Sequence, residues 1–158
     1  MNDPVTYFIT WTTYGTWLPG DGRGWRKKGQ GAQLPQPLLE QWYRRQLNAA
    51  PVQLDDLQRQ KVAAVCGQHC SIRGWGLLAV NVRTNHVHVV VTADQPPGTV
   101  RDQLKANATR VLRSEPHAIS SDAIWTRGGD CEIVNGDENL ERVVIYVNDA
   151  QDRMERDA

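Results

Sequence analysis

The run His86-Val87-His88-Val89-Val90-Val91 constrains the fold of this 158-residue chain more than any other segment. Alternation of valine with a second residue type favours a β-strand whose two faces meet different surroundings. Because successive side chains of a strand point to opposite faces, His86 and His88 share one face and the alternate valines share the other. The sequence therefore predicts a strand with one face in a core and two imidazoles on the other, roughly 6.5 to 7 Å apart along the backbone.

Apolar periodicity places the other elements around this strand. Strands are predicted over Val5 to Thr13, Leu77 to Val82, His86 to Thr92 and Glu132 to Val134, and helices over Leu38 to Asn48, Leu54 to Cys70 and Thr99 to Arg113. A last helix follows Asn135-Gly136, with Asp137 as its N-cap and an apolar stripe of Leu140, Val143, Val144 and Val147. Residues 15–37, rich in glycine, proline and charge, predict a long irregular loop.

The order β-α-β-β-α-β-α predicts an α+β fold. It is that of a ferredoxin-like split βαβ antiparallel sheet with helices on one face and an additional C-terminal helix, which carries Tyr146. A chain of 158 residues fits one domain, so residues 1–158 are expected to form a single unit. The absence of a long apolar run and of a secretory signal predicts a cytoplasmic protein without a membrane segment.

The charge of the chain is balanced overall but uneven along the sequence. Lys and Arg number 18, as do Asp and Glu, which argues against a general nucleic-acid coat protein. The segment from residue 23 to 45 is locally basic, with six cations against one acid: Arg23, Arg26, Lys27, Lys28, Arg44 and Arg45 against Glu40. Trp17 and Trp25 in this region suit base stacking, and equally suit anchoring of the loop to the protein body.

Two sets of side chains are candidates for metal binding. His86 and His88 on one strand face can share a metal, since imidazole is the commonest protein ligand; two solvent-facing histidines are the alternative. Cys66, His69 and Cys70 lie on neighbouring turns of one predicted helix, and Cys131 is the remaining cysteine. A zinc site is one interpretation of this set, and buried unpaired thiols are the other.

Four blocks of the sequence resemble one protein family. The segment from His69 to His88 (HCSIRGWGLLAVNVRTNHVH) is similar to the His-hydrophobic-His region of the HUH endonucleases. More narrowly, it resembles the single-tyrosine, IS200-like transposases, which include the REP-associated tyrosine transposases. Thr10 to Asp21 (TWTTYGTWLPGD), Trp125 to Gly129 (WTRGG) and the helix containing Tyr146-Val147 also resemble that group, in the same order.

The resemblance implies a metal-dependent endonuclease and strand transferase that acts in DNA transposition on hairpin-bearing single-stranded DNA. Tyr146 matches the family's nucleophile, which becomes linked to the 5′-phosphate of the cut strand. His86 and His88 match the metal ligands, for Mg²⁺ or Mn²⁺. A phenol, with a pKa near 10, is a weak nucleophile when neutral but a good leaving group, so the phosphotyrosine bond can be reversed by a DNA hydroxyl.

The third metal ligand departs from the family pattern. Relatives commonly place Gln or Asn one helical turn after the tyrosine, where this chain has Ala150. The Tyr-Val-x-x-x-Gln ending resembles close relatives and favours Gln151, which lies about 140° around an ideal helix from Tyr146. Gln151 would therefore reach the site only if the helix ended or distorted. Asp149, about 60° away, fits an undisturbed helix better, and Asn148 also remains open.

The remaining predictions concern DNA contacts and alternative functions. The predicted DNA-contacting residues are Arg23, Arg26, Lys27, Lys105 and Arg127, and the last two equally suit solvated surface positions. One rival function is a non-cleaving module that binds hairpin DNA or RNA. The other is a hydrolase in which His86 and His88 hold zinc-activated water. The resemblance leaves monomer and homodimer open.

Overall fold

The structure, a computed structural model, describes residues 3–16, 25–27, 30–46 and 51–150. Within them the chain forms, in order, β1 (Val5–Thr12), β2 (Trp25–Lys27), β3 (Gly31–Gln33), α1 (Pro37–Gln46), α2 (Asp56–Arg73), β4 (Gly76–Val82), β5 (His86–Ala93), α3 (Pro97–Leu112), β6 (Asp130–Ile133), α4 (Asp137–Ile145) and a π-helical segment (Tyr146–Ala150). Among the residues described, no helix has the length and apolar character needed to span a lipid bilayer.

A four-stranded sheet in the order β4-β5-β1-β6 forms the centre of the molecule. Every neighbouring pair is antiparallel. Helix α2 connects β1 to β4, and α3 connects β5 to β6, so that two split βαβ units interlock with β5 and β1 in the middle. The predicted α+β class and ferredoxin-like arrangement are therefore confirmed, with observed element bounds a few residues from the predicted ones.

The two faces of the sheet are covered by different helices. On one face, Val87, Val89 and Val91 of β5 are fully buried, together with Ile9 and Trp11 of β1, in the core that α2 and α3 complete. Each fully buried aliphatic side chain contributes roughly 1.5 to 3 kcal/mol of transfer free energy. On the opposite face, α4 and the π-helical segment pack through the predicted apolar stripe, which contacts Ala79, Val90 and Phe8.

Helix termini agree with the sequence at α2 and differ at α4. Asp55 and Gln58 form a capping box at the start of α2, each side chain accepting a 2.8 Å hydrogen bond from the other's backbone amide. The prediction that Asp137 caps α4 was wrong: Gly136 is the N-cap, with φ of 83°. Glycine alone adopts that conformation without strain, so Asp137 falls inside the first turn, where its charge still favours the helix dipole.

The predicted irregular loop over residues 15–37 was wrong in part, because it contains a short hairpin. β2 and β3 pair antiparallel, with Trp25 opposite Gln33, Arg26 opposite Ala32 and Lys27 opposite Gly31. The three residues of β3 are exposed or half-exposed, so its sequence needs no apolar alternation. A strand without a buried face leaves no periodic signal, which explains why the pattern did not predict it.

The segment from Trp125 to Gly129 is hydrogen-bonded to the end of β1. The Thr126 amide donates to the carbonyl oxygen of Thr12 at 2.9 Å, and the Thr126 hydroxyl donates to the carbonyl oxygen of Thr13 at 3.0 Å. The Trp125 ring meets the buried Trp11 ring edge-on at a centroid distance of 6.0 Å. Two sequence blocks that lie far apart in the chain therefore form one structural unit.

Gly129→Ala is expected to destabilise this unit. Gly129 has φ of 141°, and an added Cβ would lie 2.6 Å from the carbonyl oxygen of Thr10, so backbone strain and a steric clash both oppose the substitution. We expect a loss of about 2 to 3 kcal/mol in the free energy of unfolding, measured by urea denaturation.

Gly128→Ala is the matched control for that substitution. Gly128 also has a positive φ, 80°, but an added Cβ would meet nothing within 4 Å. Its expected cost is about 1 kcal/mol, from the left-handed backbone alone. Equal losses for the two variants would contradict the close approach of Gly129 to β1.

Candidate active site

His86 and His88 lie side by side on the sheet face opposite the core of α2 and α3. Their ring centroids are 4.7 Å apart and the ring planes are 80° to each other. The register of β5 on β1 sets Thr12 opposite His86 and Thr10 opposite His88. His88 is 7% exposed and His86 is half-buried, so the two imidazoles form a sheltered pair at the sheet surface.

Both rings are held through Nδ1. The Oδ1 atom of Asn85 lies 2.6 Å from Nδ1 of His86, and Oγ1 of Thr10 lies 2.8 Å from Nδ1 of His88. An amide oxygen only accepts, so His86 Nδ1 donates and the lone pair of that ring is on Nε2. The Thr10 hydroxyl imposes the same tautomer on His88 when it accepts. Metal-ligating histidines are typically oriented in this way, by a partner on the other ring nitrogen.

The electrostatics of the site keep His88 neutral. Burial, together with the nearby charges of His86 and Arg83, lowers the pKa of His88 to about 3. A neutral imidazole is the form that binds a metal. Among the residues described, no three His, Cys, Asp or Glu side chains gather into a metal-binding group. The histidine pair therefore fits a divalent metal as a partial ligand set, which amide or water oxygens would complete.

Tyr146 lies on the same face as the histidine pair. It follows the last residue of α4, begins the π-helical segment and is 37% exposed. Its ring centroid is 6.1 Å from that of His88 and 6.2 Å from that of Phe8. Phe8 stacks on His88 at 5.6 Å with an interplanar angle of 25°. The phenol of Tyr146 and the two imidazoles thus lie on one surface, and the apolar ring of Phe8 contacts both His88 and Tyr146.

The backbone next to Tyr146 is anchored to the sheet. Val147 is fully buried and packs with Ala79 and Val90. The Nδ2 atom of Asn81 donates to the carbonyl oxygen of Val147 at 2.8 Å. The helix changes here from α to π geometry, in which hydrogen bonds run from residue i to i+5. Gln151, the predicted third ligand, lies outside the described residues.

The predicted DNA-contacting residues occupy different places. Arg23 lies outside the described residues, and Arg26 and Lys27 are in β2. Arg127 is exposed in the loop fastened to β1. Lys105 donates from Nζ to the carbonyl oxygens of Thr126 at 2.9 Å and Gly128 at 2.8 Å, and burial lowers its pKa. Lys105 thus holds this loop in place, a role that the sequence did not indicate.

The cysteine and histidine set on α2 lies on the other side of the sheet. Cys66 and Cys70 are free thiols in the core, and burial raises the pKa of Cys66 to about 12 and that of Cys70 to about 11. Both ring nitrogens of His69 have partners, with Nε2 2.7 Å from Gln103 Oε1 and Nδ1 3.2 Å from Asn107 Nδ2. This environment disfavours the thiolates that zinc binding requires.

Sequence reasoning missed three residues of the site: Phe8, Thr10 and Asn81. Thr10 and Asn81 are the cross-strand partners of His88 on its two sides. The alternation of β1 places Phe8 and Thr10 on the face opposite the buried Ile9 and therefore signals their side. The neighbours of His88 depend on strand register, which a single sequence does not specify.

Comparisons with known proteins place this geometry in a family. A model of IS200-like transposases matches residues 43–150, which include the histidine pair and Tyr146. The structure of a REP-associated tyrosine transposase bound to a REP hairpin is similar, with a TM-score of 0.56 and 14% identity over 92% of this chain and 65% of that chain. This chain therefore spans 65% of the length of that transposase.

The crystal structure of a candidate transposase from Deinococcus radiodurans R1 has a TM-score of 0.48 and 14% identity over 91% of this chain and 88% of that chain. A search of curated proteins gives no match. At 14% identity, the likeness to the REP-associated transposase shows a shared fold. Because the family model matches most of the chain, this protein belongs to the family of IS200-like transposases.

Proposed function

We propose that this protein is a metal-dependent single-stranded DNA endonuclease and strand transferase that acts through Tyr146. The observation that carries the proposal is the 6.1 Å distance between the ring centroids of Tyr146 and His88 on one sheet face. In the proposed step the phenolic oxygen attacks a DNA phosphate, the bond to the 3′-oxygen breaks, and the leaving oxygen takes up a proton. The product is a 5′-phosphotyrosine and a free 3′-hydroxyl. Attack by a DNA 3′-hydroxyl reverses the step and joins strands.

His86 and His88 are the proposed protein ligands for Mg²⁺ or Mn²⁺. When bound, the metal polarises the scissile phosphate and stabilises the charge that develops on its oxygens. Asn85 and Thr10 hold the imidazoles so that their Nε2 atoms are available in the correct tautomer. Phe8 shields one side of His88 from water.

Gln151 is the proposed third ligand, and the π-helical segment supports it over Asp149. On an undisturbed α-helix, Gln151 would lie on a different side from Tyr146. With i to i+5 hydrogen bonding over Tyr146–Ala150, residues five apart approach the same side of the helix. A wider turn of this kind would accommodate the extra residue between the tyrosine and the glutamine.

The other described tyrosines lack this setting, and one of them, Tyr14, packs against the core of α2 and α3. Tyr7 is in the core, and its hydroxyl donates to the carbonyl oxygen of Gln95 at 2.9 Å. Tyr43 is as exposed as Tyr146, 37%, but lies on α1 with its ring against Trp42. Tyr146 is therefore the proposed nucleophile.

Single-stranded DNA with a hairpin is the proposed substrate. The support is the REP hairpin held by the structurally similar transposase. Arg23, Arg26, Lys27, Lys105 and Arg127 remain predicted DNA contacts, and a homodimer remains an alternative to a monomer. Of these residues, Arg127 is exposed on the loop fastened to β1, whereas Lys105 would reach phosphate only by leaving two carbonyl partners.

Tyr146→Phe is expected to abolish formation of a covalent protein–DNA adduct, because it removes the attacking oxygen and little else. The probe is a 3′-labelled pool of single-stranded oligonucleotides that carry hairpins with randomised flanks, incubated with Mn²⁺ and resolved on a denaturing gel. The label stays with the protein when the tyrosine joins the 5′-phosphate. Tyr43→Phe, at equal exposure, should retain the adduct, and mass spectrometry should place the bond at Tyr146.

Two outcomes would contradict the proposed function. If the wild-type protein binds the hairpins but never forms an adduct, the protein is a non-cleaving binding module. If cleavage survives Tyr146→Phe but is lost in His88→Ala, a metal-activated water is the nucleophile.

Thr10→Val is expected to weaken Mn²⁺ binding about 10- to 100-fold, because the valine keeps the shape of threonine but loses the hydrogen bond to His88 Nδ1. Isothermal titration calorimetry measures the affinity without DNA. Thr6→Val is the control: Thr6 lies on the same face of β1, and its hydroxyl bonds that of Thr92 at 2.7 Å. Equal affinity in Thr10→Val and wild type, or equal loss in both variants, would refute a role for Thr10 at the metal.

A further inference from the structure

We propose that Asn81 is a positioning residue that holds Tyr146 over the histidine pair through the Val147 carbonyl. This inference rests on the proposed function and assigns Asn81 to the same reaction. Asn81 lies on β4, directly opposite His88 in the ladder that joins β4 to β5. Opposed residues of an antiparallel pair point to the same face, so Asn81 and His88 emerge side by side towards α4.

The position of Tyr146 depends on its ring contacts with Phe8 and His88 and on the packing of the segment that follows α4. All residues of α4 are described, and none is fully buried; Val147 is the first fully buried residue after it. Apolar packing of Val147 against Ala79 and Val90 is not directional, so it fixes the distance of the segment from the sheet but not its rotation. The neighbouring phenol would swing with any such rotation.

The hydrogen bond from Asn81 restrains the rotation of this segment, because a hydrogen bond is directional. Its Nδ2 atom reaches the Val147 carbonyl oxygen at 2.8 Å, a good distance for an N–H donor, and such bonds weaken steeply when bent. The bond is one peptide away from Tyr146, and its donor lies on the strand next to that of His88. Asn81 therefore holds the backbone next to the proposed nucleophile and lies beside a proposed metal ligand.

The same contact coincides with the change of helix geometry. Side chains that enter the hydrogen-bond ladder of a helix are a known cause of local distortion. Asn81 bonds a carbonyl within the π-helical segment, Tyr146–Ala150. The bond therefore helps to maintain the wider turn of this segment.

The expected consequence of Asn81→Ala is a loss of rate without a loss of binding. A misplacement of about 1 Å at a reacting group can slow a reaction about 100-fold. We expect the rate of adduct formation at saturating DNA and Mn²⁺ to fall about 10- to 100-fold, with both affinities within about twofold of wild type. Asn81→Gln keeps the amide donor and should recover part of the rate.

Asn139→Ala is the matched control. The Nδ2 atom of Asn139 donates to the carbonyl oxygen of Asn135 at 2.8 Å, at the other end of α4. The variant removes a bond of the same kind and length from the same helix and should retain the wild-type rate. A wild-type rate in Asn81→Ala, a loss of DNA affinity in place of rate, or an equal loss of rate in Asn139→Ala would overturn the inference.

Hydrogen exchange separates this inference from the proposed function. The amides of residues 146–150 should exchange faster in Asn81→Ala than in wild type or Asn139→Ala, in the absence of DNA and metal. Unchanged exchange would show that Asn81 does not hold the segment, whatever the chemistry. If exchange is faster in Asn81→Ala but the wild-type protein forms no adduct, Asn81 holds the segment and the proposed reaction is refuted.

Discussion

The burial of the valine face of β5 is the constraint on which the site depends. Val87, Val89 and Val91 are fully buried against α2 and α3, so the intervening His86 and His88 must face the other way. A slip of one residue in the pairing with β1 would turn Val87, Val89 and Val91 out of the core. The free energy that buries the valines therefore also fixes the histidines on the surface that α4 partly covers.

The register of β5 with its neighbouring strands determines which side chains surround the histidines. Thr10 on β1 and Asn81 on β4 flank His88, and each makes a hydrogen bond that matters for the proposed chemistry. Thr10 orients the imidazole, and Asn81 holds the backbone beside Tyr146. The sheet thus positions both the proposed metal ligand His88 and the proposed nucleophile Tyr146, which are 58 residues apart in the sequence.

The sequence predicted what local periodicity encodes. The alternation of β5, the apolar stripe of the last helix and the order of the four strands in the main sheet with their connecting helices all follow from the spacing of buried residues, and the structure has them as predicted. It did not predict Thr10 or Asn81 as neighbours of His88, because strand register is a non-local property. The hairpin of β2 and β3 and the Gly136 cap were also missed, since neither depends on a buried periodic face.

The central claim is that the phenol of Tyr146 and the metal on His86 and His88 occupy one site. The most direct test is ¹⁹F NMR of the protein with fluorotyrosine at its four tyrosines, titrated with paramagnetic Mn²⁺, with Tyr146→Phe to assign the resonance. We expect Mn²⁺ to broaden the Tyr146 resonance strongly, and His88→Ala to abolish the broadening. A sharp Tyr146 resonance in the Mn²⁺-saturated wild-type protein would contradict it.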